Sequence, residues 1–190
     1  MNAATVLAWG ALALWSVWGC ALSQELAASS LGRFTPDLGL ALLTSLAACL
    51  RTRDLGLLAL VFAQARVATS IDPPFATLAA ALGAVAFVRI LRVVFDLSRP
   101  APLALASALI VWSSELWLSQ IAGVRVREHL SRAALDSVEL ASIWEVLART
   151  APSAFTTAVV VFAAAPLLRR LPGASVLEGA HSWPLVASRR

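Results

Sequence analysis

The chain has no lysine and no tyrosine, and among its 190 residues there are two histidines, two cysteines and a single asparagine, Asn2. Each scarcity removes a class of chemistry. The histidines, His129 and His181, lie in a hydrophilic stretch and in the C-terminal tail, so neither a histidine zinc site within the bilayer nor a Ser-His triad is indicated. Cys20 and Cys49 fall in apolar runs, spaced for neither a metal site nor a disulfide framework, and read as small buried side chains. No glycine-rich phosphate loop occurs, and no cofactor is expected. Charged residues make up only 14% of the chain. The 15 basic residues, all arginine, reflect coding bias more than a functional choice.

What is abundant is apolar surface. Hydrophobic residues reach 59%, more than one soluble core of this size needs, and the class is therefore an all-α polytopic membrane protein. A net charge of +4 in a soluble chain would suggest nucleic acid. Basic patches for nucleic acid are clustered, however, and here the arginines sit singly or in pairs at helix ends, so the lipid bilayer is the partner and nucleic acid is not.

Six apolar runs are expected to be six membrane spans. The first runs from about Ala3 to Leu22; Val17-Trp18-Gly19-Cys20 superficially resembles a lipoprotein cleavage box, but Trp18 is too bulky and no basic residue precedes, so residues 1–26 are read as an uncleaved first helix. Thr35-Pro36-Asp37 announces the second, with threonine as cap and proline at the first helical position, ending at Leu50. After a tight turn at Arg51-Thr52-Arg53-Asp54, with Thr52 a possible cap, the third runs from Leu55 to about Val67. Asp72-Pro73-Pro74 breaks the chain before the fourth, Phe75 to about Phe95. The fifth, Pro102 to Ile121, is about 20 residues, the length that crosses a hydrocarbon core of roughly 30 Å. The sixth runs from about Pro152 to Leu168.

Between the fifth and sixth lies a hydrophilic stretch, Gly123 to Thr150. Leu130, Ala133, Leu140, Trp144 and Leu147 recur at helical spacing opposite Glu128, Arg132, Asp136 and Glu139, which predicts an amphipathic extracytoplasmic helix over about 126–148. Residues 1–171 thus form the transmembrane domain, and 172–190 a poorly ordered cytoplasmic tail. Counting arginines places Arg51, Arg53, Arg89, Arg92, Arg99, Arg169, Arg170, Arg189 and Arg190 on the cytoplasmic side together with both termini.

Glu115, inside the fifth run between Trp112 and Trp117, is the polar residue that most needs a reason, because ionisable groups within a span usually serve pairing or function. It can be hydrogen-bonded to Ser119 or another helix, paired with Arg66, in contact with a partner protein, or involved in transport. Arg66, near the end of the third run beside Gln64, is expected to snorkel to the interface. The candidate partner-binding residues are Glu115, Trp112, Leu140, Trp144 and Leu147.

The order of these features resembles a known family. The break Phe34-Thr35-Pro36-Asp37, the arginine-turned hairpin, Ser70-Ile71-Asp72-Pro73-Pro74-Phe75, the basic end at Arg89 to Arg92, and a last helix from Thr150-Ala151-Pro152-Ser153-Ala154-Phe155 to Pro166-Leu167-Leu168-Arg169-Arg170-Leu171 are similar to the bacterial rod-shape-determining protein MreD family over roughly residues 5–171. The chain departs from the family pattern at Phe62-Ala63-Gln64-Ala65-Arg66, where members often carry glycines and an aspartate. The resemblance implies the six-helix fold of the substrate-capturing subunits of energy-coupling-factor transporters, the bacterial inner membrane, and a non-enzymatic role as membrane partner of the scaffold protein MreC, serving the cell-wall elongation synthases indirectly. The alternative is a substrate-binding membrane subunit for a vitamin-like solute, with a pocket lined by Gln64, Arg66, Trp112 and Glu115. A lipid-modifying enzyme is disfavoured for want of paired acids or histidines.

Overall fold

The computed structural model describes residues 3–29, 31–129, 143–168 and 170–177. Among them there is no strand, only helices: α1 (Ala3–Ala28), α2 (Leu38–Cys49), α3 (Leu55–Thr69), α4 (Pro74–Val94), α5 (Pro100–His129), α6 (Ile143–Leu168) and the single-turn α7 (Ala174–Leu177), with 3-10 turns at Gly32–Phe34 and Thr52–Asp54. Helices α1, α4, α5 and α6 are long and apolar enough to cross a bilayer, which makes the chain a multi-pass membrane protein. The remaining two of the six expected runs, α2 and α3, have 12 and 15 residues, about 18 and 22 Å at 1.5 Å per residue, less than a hydrocarbon core of roughly 30 Å.

The short α2 is the centre of the bundle. Every residue from Gly39 to Ala47 is buried, as expected of a helix that is apolar all round, and α2 packs against α1, α3, α4, α5 and α6. Close approach is possible because of Gly39: a Cβ there would lie 2.7 Å from Cys20 Sγ on α1 and 3.0 Å from Phe62 on α3. Phe62, Leu58 and Leu46 fill the core beside it. A buried helix cannot leave its terminal carbonyls to water. At the C-terminal end of α2, Arg92 of α4 donates through Nη1 to Ala47 O at 3.2 Å and Leu50 O at 2.8 Å, bringing a cation to the negative end of the helix.

Several expected boundaries move, each for a local reason. Helix α1 continues past Leu22 to Ala28 because Ser23 bonds back to Gly19 O and is accommodated within the helix. The cap of α2 is Asp37, not Thr35: its carboxylate accepts the Leu40 N–H, and Pro36 stays outside the helix. Thr52 opens a 3-10 turn and caps nothing through its side chain. Helix α5 runs beyond Ile121 to His129, and α6 begins at Ile143 instead of Pro152. Pro152 is an interior proline of α6, flanked by Thr150 and Thr156, whose hydroxyls donate to Val146 O and Pro152 O. The two flanks of the expected amphipathic segment are therefore extensions of α5 and α6. Its middle, 130–142, with Leu140, Arg132, Asp136 and Glu139, lies outside the described residues, as do Arg169 and 178–190 of the tail. The first part of the tail docks: Ala174 and Leu177 are buried, α7 packs on α1, and Gly173 adopts φ +97° where a Cβ would meet Ala8 O at 2.6 Å.

The Arg92 cap yields a test. Arg92→Met keeps the apolar stem but strands two buried carbonyls, at about 1 to 3 kcal/mol each. Thermal unfolding in detergent should show a midpoint several degrees lower, whereas Arg89→Met, whose side chain is exposed, should leave it unchanged.

Candidate functional site

The opposite end of α2 carries the polar groups of the molecule. Its free amides must also be served inside the bundle, and three side chains do so. Asp37 Oδ1 accepts the Leu40 N–H at 2.8 Å; Ser23 Oγ of α1 accepts the Leu38 N–H at 2.8 Å; Thr157 Oγ1 of α6 accepts the Asp37 N–H at 2.8 Å. Ser153, one turn earlier on α6, donates to Thr35 O at 2.7 Å. The irregular segment before α2 is thereby clamped between α1 and α6. Non-helical backbone at such a depth is tolerated where protein or a cavity surrounds it.

An anionic cap suits the positive end of α2, but a carboxylate in a bundle needs a counter-ion, and Arg66 supplies it. Arg66 sits in the last turn of α3 with its side chain 16% exposed. Each of its three nitrogens faces a different carboxylate: Nη1 to Asp37 Oδ2 at 2.7 Å, Nε to Asp72 Oδ2 at 3.4 Å, and Nη2 to Glu115 Oε1 at 3.5 Å. A planar guanidinium addresses the three partners through three separate nitrogens, whereas a lysine ammonium would have to gather them around one point charge on a flexible stem. Asp72 is held in turn by Ser70, whose hydroxyl donates to Oδ2 at 3.0 Å. One side chain thus joins the start of α2, the end of α3, the turn between α3 and α4, and the middle of α5.

Above this cluster opens a cleft of about 640 Å³, walled by the end of α1, the Gly32–Asp37 segment, Glu115 and Ser119 of α5, and Val146 to Ser153 of α6. A smaller cavity of about 130 Å³ lies on the other side of the Arg66–Asp37 pair, lined by Cys20, Thr69, Ser70 and Asp72. Ser23, Gln24 and Asp37 border both. We call the larger one the vestibule. Among the described residues no set of histidine, cysteine and acidic side chains is placed to hold a metal ion.

The residues singled out from sequence divide. Of the possible partners for Glu115, the structure contains Arg66, while the Ser119 hydroxyl bonds to Leu116 O instead. Arg66 does not snorkel: it is turned inward by three acids. Gln64 is exposed and Trp112 packs against the core with Nε1 buried and unbonded, and of Gln64, Arg66, Trp112 and Glu115 only Glu115 lines the vestibule. Trp144 is 78% exposed and Leu147 half-buried, both on α6, and Leu140 lies outside the described residues. The sequence points to Asp37 only as an acid suited to the positive end of a helix and to Asp72 only as part of a chain break, not to either as a partner of Arg66. Their signal was that both are acids beside prolines in breaks at the same end of the bundle as Arg66.

The cluster orders the effect of substitutions. Arg66→Leu leaves three acids without their cation, a loss of about 3 to 5 kcal/mol for a buried pair. Glu115→Gln, at a 37% exposed position with a 3.5 Å contact, should cost about 0 to 1 kcal/mol. Thermal unfolding in detergent should therefore rank Arg66→Leu as most damaging, Asp37→Asn next and Glu115→Gln nearly neutral. Equal damage from Arg66→Leu and Glu115→Gln would contradict the geometry.

No protein-family model, no curated protein and no solved structure matches this chain.

Proposed function

We propose that this protein is a non-enzymatic component of the bacterial cell-wall elongation machinery in the inner membrane, acting as the membrane partner of an MreC-like scaffold protein and, through it, of the elongation synthases. In this reading the chain crosses six times with both termini cytoplasmic, in the arrangement of a substrate-capturing transporter subunit. Helices α2 and α3 are the two short crossings, and the vestibule makes up the thickness they lack. Arginine counting along the sequence supports the orientation, with Arg51, Arg53, Arg89, Arg92, Arg99, Arg169, Arg170, Arg189 and Arg190 on the cytoplasmic side against Arg33, Arg66, Arg125, Arg127, Arg132 and Arg149 on the other.

The observation that carries a docking role is the α5–α6 pair. These helices have 30 and 26 described residues, about 45 and 39 Å, so they outrun a hydrocarbon core of roughly 30 Å and form an arm beside the vestibule. On that arm Val124, Ile143 and Trp144 are exposed.

Pull-down of the MreC-like partner from native membranes tests the reading. Burial of each large apolar side chain is worth roughly 1.5 to 3 kcal/mol, so Ile143→Glu with Trp144→Glu should lower capture by at least about tenfold at equal membrane level. Arg53→Glu, exposed at the other end, should capture normally. Full capture by the double variant would move docking off the arm, and no recovery of such a partner by the unaltered protein would contradict the proposal.

A further inference from the structure

The charges around the vestibule do not balance locally. In the cluster below it, three carboxylates, Asp37, Asp72 and Glu115, share one guanidinium, which leaves two formal negative charges. On the walls stand two cations, Arg33 and Arg149, neither of which forms an ion pair among the described residues. Among the described residues that line the vestibule, Asp37 and Glu115 stand against Arg33 and Arg149, acid at the floor and arginine on the walls.

The acids are not equally available. Asp37 is occupied through both oxygens, by the Leu40 amide and by Arg66, and Asp72 lines the smaller cavity. Glu115 is different. It lines the vestibule, its partner among the described residues is Arg66 at 3.5 Å, and over a third of its side chain is open. It has spare capacity to accept from a cationic donor. Arg33 and Arg149, with five N–H donors each, offer the matching site for an oxoanion.

This arrangement selects a ligand class. A bare anion drawn to the arginines meets a floor already in excess of negative charge, and a bare cation drawn to Glu115 meets the wall arginines. A molecule carrying both charges pairs with Glu115 and with the two arginines at once, through charge-assisted hydrogen bonds at each end. A volume of about 640 Å³ falls within the range of small-molecule sites, roughly 300 to 1,000 Å³.

We propose that the vestibule binds a zwitterion, one unit bearing a primary ammonium and a carboxylate or phosphate, with the ammonium on Glu115 and the oxoanion between Arg33 and Arg149. The same chemistry is offered by a free amino acid or phosphoamine and by an ethanolamine phospholipid headgroup. The assignment does not depend on which protein docks on the α5–α6 arm.

The test uses the full chain purified in a nonionic detergent, with equilibrium dialysis against labelled O-phosphoethanolamine and L-alanine. In a second arm, nanodiscs of mixed ethanolamine and choline phospholipids are followed by mass spectrometry of the retained lipid. Saturable binding is expected, with inorganic phosphate alone and ethanolamine alone each at least about tenfold weaker than O-phosphoethanolamine. A tenfold weakening is also expected in Glu115→Gln and in Arg149→Gln, both judged folded by thermal unfolding. Binding of the free zwitterions identifies a solute site. Selective retention of the ethanolamine lipid without free-ligand binding, lost in the same variants, identifies a headgroup site. The proposal is overturned by inorganic phosphate or ethanolamine binding as tightly as the zwitterion, by binding that both variants leave intact, or by neither solute nor ethanolamine lipid being held. The comparison with the two half-ligands is made on the unaltered protein, so it decides even where a variant fails to fold.

Discussion

A helix of 12 residues buried on every side imposes the constraint from which the rest of this structure follows. Its terminal amides and carbonyls are packed among the surrounding helices, and each group left unsatisfied in a low-dielectric interior costs several kcal/mol. The chain answers with polar side chains from its neighbours. At one end Arg92 reaches across from α4 to two carbonyls; at the other, Ser23, Thr157 and Asp37 take the amides. Asp37 as a carboxylate then requires Arg66, and Arg66, with three nitrogens to satisfy, gathers Asp72 and Glu115. The acid in the middle of a long apolar helix is thus the last link of a sequence that begins with the burial of α2.

The same constraint shapes the surface. Because α2 and α3 end at the cluster while α1, α5 and α6 continue past it, the bundle has a recess on one side, and the irregular backbone of the Gly32–Asp37 segment lines it. Discontinuous or short helices whose ends meet inside a membrane protein put helix dipoles, free carbonyls and charged caps where a ligand can reach them. The vestibule and the arm are therefore separate consequences of unequal helix lengths. One is an open cleft that carries charged side chains, suited to a small ligand; the other presents exposed apolar side chains, suited to a protein.

Much of the helix order could be read in the sequence because the apolar runs are long and their breaks carry proline, aspartate and arginine. The runs themselves gave the existence of six helices of the bundle, and the composition gave the membrane. The boundaries were less legible. Ser23 and Pro152 looked like punctuation, yet in a membrane helix a serine bonds to the preceding turn and an interior proline is tolerated, so both sit inside helices. The cluster was half visible. Glu115 and Arg66 stood out as charges in apolar sequence and pairing between them was one reading, but Asp37 and Asp72 were hidden in loops where acids are common. That Gln64 faces outward and Arg66 inward depends on the rotation of α3 about its axis, fixed by Phe62 and Leu58 packing on α2, which no local pattern reports.

The central claim is that α2 and α3 stop at a water-filled recess that the bundle seals beneath them. The most direct measurement is thiol accessibility in intact membranes, on a background with Cys20 and Cys49 replaced by alanine and single cysteines introduced along the proposed axis. Cysteines at Gln24, Ser119 and Ser153 should react rapidly with a charged, membrane-impermeant reagent, all three from the same face, while cysteines at Leu43, Leu58 and Val161, buried below the cluster, should not react from either. Protection of Ser119 and Ser153 together, or reaction at Leu43 as fast as at Gln24, would contradict it.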